Sequence, residues 1–176
     1  MITIILNILN IKLLIDNLLI NILNKNTRFS LVYLAFGANL KNKTTNIKKS
    51  IKILHNNGVF VYKLSQFYKN KPLLPDNFPE WMSLYQKNAC KKLYFVNCVG
   101  LFYTKKSPFK LLDLIQKIEK KLGKKKLGYW LPRLIDIDII LYQNIKIKSK
   151  SLQIPHKHYK KRSFVLKPLI QIKSKL

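Results

Sequence analysis

Two aspartates, Asp136 and Asp138, stand one residue apart in the run RLIDIDIILY. In an extended strand successive side chains alternate between faces, so both carboxylates share one face while Ile135, Ile137 and Ile139 take the other. Like charges this close repel and disfavour ionisation of each other unless something cationic offsets them. Two offsets are open: ion pairs to the abundant lysines, or a hard divalent cation that one or two carboxylates hold together with substrate phosphates. Lys124, Lys125, Lys126, Arg133, His156 and Arg162 lie close by in the sequence or in the next basic block. Such side chains could hold a triphosphate and the negative charge that develops when a phosphoryl group moves.

The composition sharpens these candidates. A chain of 176 residues with 48% hydrophobic content can fill one core, so a single active site is expected. The formal charge of +27 fits nucleic acid or an anionic surface as partner. It also fits a chain biased throughout toward Ile, Asn and Lys, since the lysines are spread over every segment. Arginine is scarce: only Arg28, Arg133 and Arg162 occur, and such a side chain suits bidentate phosphate binding. The acids are equally few, namely Asp16, Asp76, Glu80, Asp113, Glu119, Asp136 and Asp138. Cys90 and Cys98 make neither a disulfide framework nor a zinc site, which fits a reducing, cytoplasmic setting.

The elements that must position these residues follow from periodicity. Residues 1–30 form an Ile/Leu/Asn zone, with Asn10, Asn17, Asn21 and Asn24 at helical spacing. Lys12, Asp16 and the asparagines interrupt it too early for a membrane span, and it lacks the marks of a secretory signal. A packing helix, a targeting or membrane-surface segment, and an extension of little consequence all remain open. From Leu31 the run LVYLAF reads as a buried strand ending at Gly37. Ile47, Ile51 and Leu54 give a helix stopped by Asn57-Gly58. Val59 to Phe67 alternates like a strand, and a Pro-rich irregular segment precedes another strand near Tyr94 to Tyr103. Ser107-Pro108 starts a second helix with the stripe Leu111, Leu112, Ile115, Ile118 and Leu122, closed by Gly123. Leu134 to Tyr142 is the last strand. The order β-α-β-β-α-β implies an α+β fold with a ferredoxin-like core, an antiparallel sheet flanked by helices, in one domain over residues 31–176.

With these blocks in order, the chain resembles the 6-hydroxymethyl-7,8-dihydropterin pyrophosphokinase family. GKKKLGYWLPRLIDIDIILY resembles its basic loop, Trp-x-Pro-Arg and Asp-x-Asp strand, carried by Trp130, Pro132, Arg133, Asp136 and Asp138. YLAFGANL resembles its N-terminal strand and Gly-Ser-Asn turn, with Ala38 in the Ser position. FYKNKPL, FVN and IPHKHYKKRSFVLKPL resemble its Tyr-x-Thr-x-Pro, aromatic-x-Asn and Pro-His/Arg-x-Phe/Pro-Leu blocks. The separation of Asn97 from Pro108 also matches the family, and the resemblance covers about Leu31 to Ile172.

The resemblance implies transfer of diphosphate from ATP to the pterin hydroxymethyl group, with AMP as product and two Mg2+ ions held by Asp136 and Asp138. Lys124 and Arg133 take the places of two catalytic-loop arginines. Gln116, Glu119, Lys126, Trp130, Arg133, Ile139, His156 and Arg162 fall on the ATP side. Gly37, Asn39, Asn70, Pro72, Leu73, Phe95, Asn97 and Phe164 fall on the pterin side, with Phe95 and Phe164 sandwiching the ring. Leu131 replaces a Gly of the lid loop, and Lys124 lacks the planar fork of Arg. The segment between Pro72 and Phe95, where a lid over the pterin is expected, is longer than usual. Small-molecule substrates, a monomer, no nucleic acid and no stable membrane insertion are the corresponding expectations. A basic single-strand nucleic-acid binder on the same plan would need outward aromatics and cations together, and the paired aspartates oppose it. A family member of weak activity is the other alternative.

Overall fold

The structure is a computed structural model and describes residues 29–72, 80, 82–83, 87–88, 93–124 and 132–173. The N-terminal extension therefore lies almost wholly outside the described residues, as does most of the long segment before Phe95.

The chain forms β1 (Ser30–Ala38), α1 (Lys43–Asn56), β2 (Val59–Leu64), β3 (Tyr68–Asn70), β4 (Phe95–Thr104), α2 (Pro108–Lys121), β5 (Asp136–Tyr142), β6 (Ile147–Lys148), β7 (Gln153–Ile154) and α3 (Ser163–Lys173). The main sheet runs β2-β4-β1-β5, with β3 also on β4, and β6 pairs with β7. All of these pairs are antiparallel.

The strand expected from Val59 to Phe67 ends at Leu64, and β3 starts only at Tyr68, beyond that stretch. Ser65 spans the break by donating its backbone N–H to Val99 O at 2.9 Å and accepting Val99 N–H on its hydroxyl at 3.0 Å. The ladder to β4 thus continues although the chain leaves strand geometry.

Alternation sorts the apolar side chains into two layers. Val32, Leu34, Phe36 and Ala38 of β1, with Cys98 and Phe102 of β4 and Ile135, Ile137 and Ile139 around β5, pack against Ile47 and Leu54 of α1 and Leu111, Ile115 and Ile118 of α2. Each of these residues is at most 5% exposed, while Ile51, Leu112 and Leu122 of the two expected helical stripes are only partly buried against this layer. Ser107 caps α2 with its side chain toward Lys110 N, and Pro108 follows at the first helical position. On the opposite face Ala35, Val99, Leu101 and Ile140 pack against Val165, Leu169 and Ile172 of α3, a helix that contains Pro168 and that periodicity did not disclose.

One irregularity in β5 matters for the site. Leu34 pairs with Ile139 and Tyr33 with Leu141, so Ile140 is an extra residue in the strand. A bulge of this kind puts two consecutive side chains on one face. Ile140 and Leu141 both face α3, and Tyr142 returns to the α1/α2 side, where it is 2% exposed and donates its hydroxyl to Lys106 O. The alternation before the bulge leaves Asp136 and Asp138 on the α3 face.

Among the described residues no helix is long and apolar enough to cross a membrane. The core leaves little slack at Gly100, where an added Cβ would lie 2.4 Å from Phe102 Cε2 and 2.7 Å from Leu64 Cδ2. Gly100→Ala is expected to destabilise the fold by about 1–3 kcal/mol in urea titrations followed by circular dichroism, the cost of overpacking.

Candidate active site

The site lies at one end of the α3 face of the sheet. Gly37 of β1 is opposite Asn97 of β4 on one side and Asp136 of β5 on the other, and Ala35 in the next inward row is opposite Val99 and Asp138. Directly opposed residues of an antiparallel sheet share a face. Gly37 and Ala35 therefore form the low floor of a trough between an amide wall and an acidic wall. The floor at Gly37 has no room for a side chain, since a Cβ there would lie 2.9 Å from Asn97 Oδ1. From the other side the start of α3 brings Arg162, Phe164 and Val165 over this trough, closing a cavity of about 210 Å³.

Seven of the eight residues placed by resemblance on the pterin side line that cavity: Gly37, Asn39, Asn70, Pro72, Phe95, Asn97 and Phe164. The eighth, Leu73, lies outside the described residues, as do Lys126 and Trp130. Asp136, Asp138, Arg133 and Arg162 line the same cavity. Asn97 donates its amide to Asn70 Oδ1, which ties β4 to β3 at the cavity wall. The structure adds Ala35, Phe36, Leu93, Cys98 and Val165 to the lining. Ala35 was foreseeable, being two residues before Gly37 on the same face, whereas Leu93 belongs to a segment without periodicity.

Asn39 does more than line the wall. It is 3% exposed, its Oδ1 accepts Arg133 N–H at 2.6 Å, and its own N–H donates to Arg133 O at 3.2 Å. The turn after β1 thereby clamps the chain entering β5 and sets where Arg133 starts.

The two aspartates are neutralised differently. Asp136 accepts Lys124 Nζ at 2.6 Å and Arg133 Nη1 at 2.8 Å. Burial pushes its carboxyl up, but the charges of Arg133 and Lys124 outweigh burial and hold it below the usual carboxylate range. Asp138 has only longer contacts, Arg162 Nη1 at 3.7 Å and His156 Nε2 at 4.0 Å. Burial, followed by the charge on Asp136, raises its carboxyl above the ordinary value, with His156, Arg162 and Lys124 opposing in part. His156 accepts the His158 N–H on Nδ1 at 3.3 Å, which leaves the proton of the neutral ring on Nε2, toward Asp138. Burial lowers His156 despite the attraction of Asp138.

The nucleotide-side residues are more dispersed. Gln116 is exposed on α2, Ile139 is 5% exposed within the α1/α2 core, and Glu119 turns inward to Lys124 Nζ at 2.8 Å and Ile137 N at 2.8 Å. Gln116, Glu119, Lys124, Ile139 and His156 are outside the cavity lining.

Among the described residues no three His, Cys, Asp or Glu side chains gather into a protein-only metal site. Two carboxylates on one wall, one of them short of cationic partners, instead suit Mg2+, which keeps waters and takes its remaining ligands from phosphate oxygens. Basic side chains rim that wall and an apolar slot with amide edges adjoins it. The chemistry is that of a metal-assisted transfer of a phosphoryl-type group to a flat heterocycle.

Known proteins agree with this class. A family model described as 7,8-dihydro-6-hydroxymethylpterin-pyrophosphokinase matches residues 33–174. The chain belongs to this family. It is 35% identical over 145 residues to the 2-amino-4-hydroxy-6-hydroxymethyldihydropteridine pyrophosphokinase of Haemophilus influenzae, spanning 82% of either chain. With the Bacillus subtilis enzyme of that name it shares 32% identity, over 81% of this chain and 78% of that one. A folate synthesis bifunctional protein of Arabidopsis thaliana is also 32% identical, but the match spans only 28% of its length. In three dimensions a crystal structure of an HPPK-DHPS in complex with substrates superposes with a TM-score of 0.60 at 16% identity, over 81% of this chain and 40% of that one.

Asn39→Ala is expected to leave the partly buried Arg133 N–H without its acceptor and to cost about 1 kcal/mol in urea denaturation.

Proposed function

We propose that the cavity between β1, β4, β5 and α3 is the catalytic site of the family's reaction and that Asp136 and Asp138 are its metal ligands. The chain is a transferase of folate biosynthesis. It transfers diphosphate from ATP to the hydroxymethyl group of 6-hydroxymethyl-7,8-dihydropterin, giving AMP and the pterin diphosphate. The observation that carries the site assignment is the single cavity in which the pterin-side residues and both aspartates meet.

The pterin takes the slot between Phe95 and Phe164, stacked on aromatic faces, with Asn97 and Asn70 on its polar edge. Gly37 leaves the floor free for the ring's hydroxymethyl arm to point along the trough toward Asp136 and Asp138. The substrate hydroxyl then attacks the β-phosphorus of ATP, the bond from that phosphorus to the α-phosphate oxygen breaks, and the hydroxyl proton leaves to solvent or phosphate. Asp136 and Asp138 would hold two Mg2+ ions, which would supply charge neutralisation for the triphosphate and Lewis acidity toward the substrate hydroxyl. Arg162 and His156 are within reach of phosphates entering beside Asp138. Lys124 and Arg133 neutralise charge on the transferring group, with Lys126 and Trp130 of the intervening loop and Gln116, Glu119 and Ile139 on the nucleotide side. Rate comes from positioning and charge neutralisation, not from a covalent intermediate.

The sheet order β2-β4-β1-β5, with α1 and α2 on one face, supports the ferredoxin-like reading of the core. The added α3 covers the other face and carries Arg162 and Phe164 to the site. We further propose a monomer that acts on these small molecules in the cytoplasm, with the lysine excess serving no nucleic acid.

Incubation with Mg2+, ATP and 6-hydroxymethyl-7,8-dihydropterin should give AMP and the pterin diphosphate in equal amounts, and no AMP at micromolar enzyme would overturn the assignment. Asp138→Asn removes a charge without removing volume, so turnover should fall by at least about a hundredfold while circular dichroism is unchanged. Retained turnover would exclude Asp138 as a ligand. Gly37→Ala should raise the pterin KM by about tenfold, roughly 1.4 kcal/mol, and leave the ATP KM nearly unchanged.

A further inference from the structure

Glu119, placed above on the nucleotide side, is a buried carboxylate to which the reaction as described gives no step. It lies in the last turn of α2, is 6% exposed and does not line the cavity. Burial pushes its carboxyl up, and an anion in such a place is costly unless its partners are well placed. It has two such partners. Its Oε1 accepts the N–H of Ile137 at 2.8 Å, between the two aspartates on the side of β5 away from β1, and it accepts Lys124 Nζ at 2.8 Å. Lys124 Nζ in turn reaches Asp136 Oδ1 at 2.6 Å, so one ammonium bridges two carboxylates.

A divalent cation on Asp136 competes with the ammonium for Oδ1, so Lys124 is expected to yield Asp136 when metal and nucleotide bind. With Asp136 as its sole carboxylate, the lysine would swing free or resist the exchange. We propose that Glu119 is a positioning residue that retains Lys124 in the site when the lysine gives up Asp136, while its bond to the Ile137 amide keeps the spacing of the two aspartates. The inference rests on Asp136 being a metal ligand. It gives Glu119 a part other than direct nucleotide contact: it acts through Lys124 and through the edge of β5.

Mn2+ binding to the full chain in the presence of α,β-methylene ATP, read from the electron paramagnetic resonance signal of free Mn2+, tests this without turnover. Glu119→Gln keeps an oxygen for the Ile137 N–H and removes the charge that holds Lys124. It should weaken Mn2+ binding by about tenfold, as loss of a group that orients a ligand shell does. In a Lys124→Met background the same substitution should cost less than about twofold, because there is no ammonium left to retain. Glu119→Asp, which keeps the charge and shortens the reach by one methylene, should recover part of the loss only when Lys124 is present. Equal weakening with and without Lys124 overturns the inference alone. Absence of Mn2+ binding by the wild-type chain overturns the metal assignment and the inference with it.

Discussion

The repulsion between Asp136 and Asp138 is the constraint around which the rest of the site is arranged. Two carboxylates on one face of an edge strand, beside a cavity, are tolerable only with compensating charge. Among the described residues the three carboxylates Glu119, Asp136 and Asp138 are met by the three cations Lys124, Arg133 and Arg162. The balance is uneven in space: Asp136 has two close cations, and Asp138 has only contacts at 3.7 and 4.0 Å. On the proposed assignment, a triphosphate arriving with two divalent ions would be close to neutral and would leave this sum unchanged. Its entry would exchange partners on that assignment, with the metal taking the carboxylates and the basic side chains taking the phosphates.

The sheet converts that constraint into the proposed substrate site. Asn97, Gly37 and Asp136 stand in one row across β4, β1 and β5, which places a hydrogen-bonding amide and a carboxylate on either side of a floor without a side chain. The bulge at Ile140 lets β5 present Asp136 and Asp138 to the cavity and still send Tyr142 back into the α1/α2 core. The opposite wall comes from α3, whose Val165, Leu169 and Ile172 bury against Ala35, Val99, Leu101 and Ile140 and so hold Phe164 and Arg162 over the floor. Binding surface and core packing share the same few strands.

Much of this was legible in the sequence because it depends on short periods. The period of two in RLIDIDIILY placed both aspartates on one face, and Ile47, Ile51 and Leu54 or Leu111, Ile115 and Ile118 marked two helical stripes. The motif order along the chain brought seven described pterin-side residues into one cavity. What stayed hidden lacks a local period. In α3 Pro168 interrupts a short apolar stretch, and in β6 and β7 each strand has only two residues. The end of β2 at Leu64, short of Phe67, goes with Ser65 bonding to Val99, a partner supplied by the fold. Likewise, nothing near Glu119 shows that its carboxylate would turn from the nucleotide side toward Ile137 and Lys124.

A crystal structure of the full chain with Mg2+, α,β-methylene ATP and the pterin tests the central claim most directly. The expected result is metal bound to oxygens of both Asp136 and Asp138 at about 2.0–2.1 Å and to the triphosphate, with Lys124 withdrawn from Asp136. Metal and nucleotide bound elsewhere, with Lys124 and Arg133 still paired to Asp136, would contradict it.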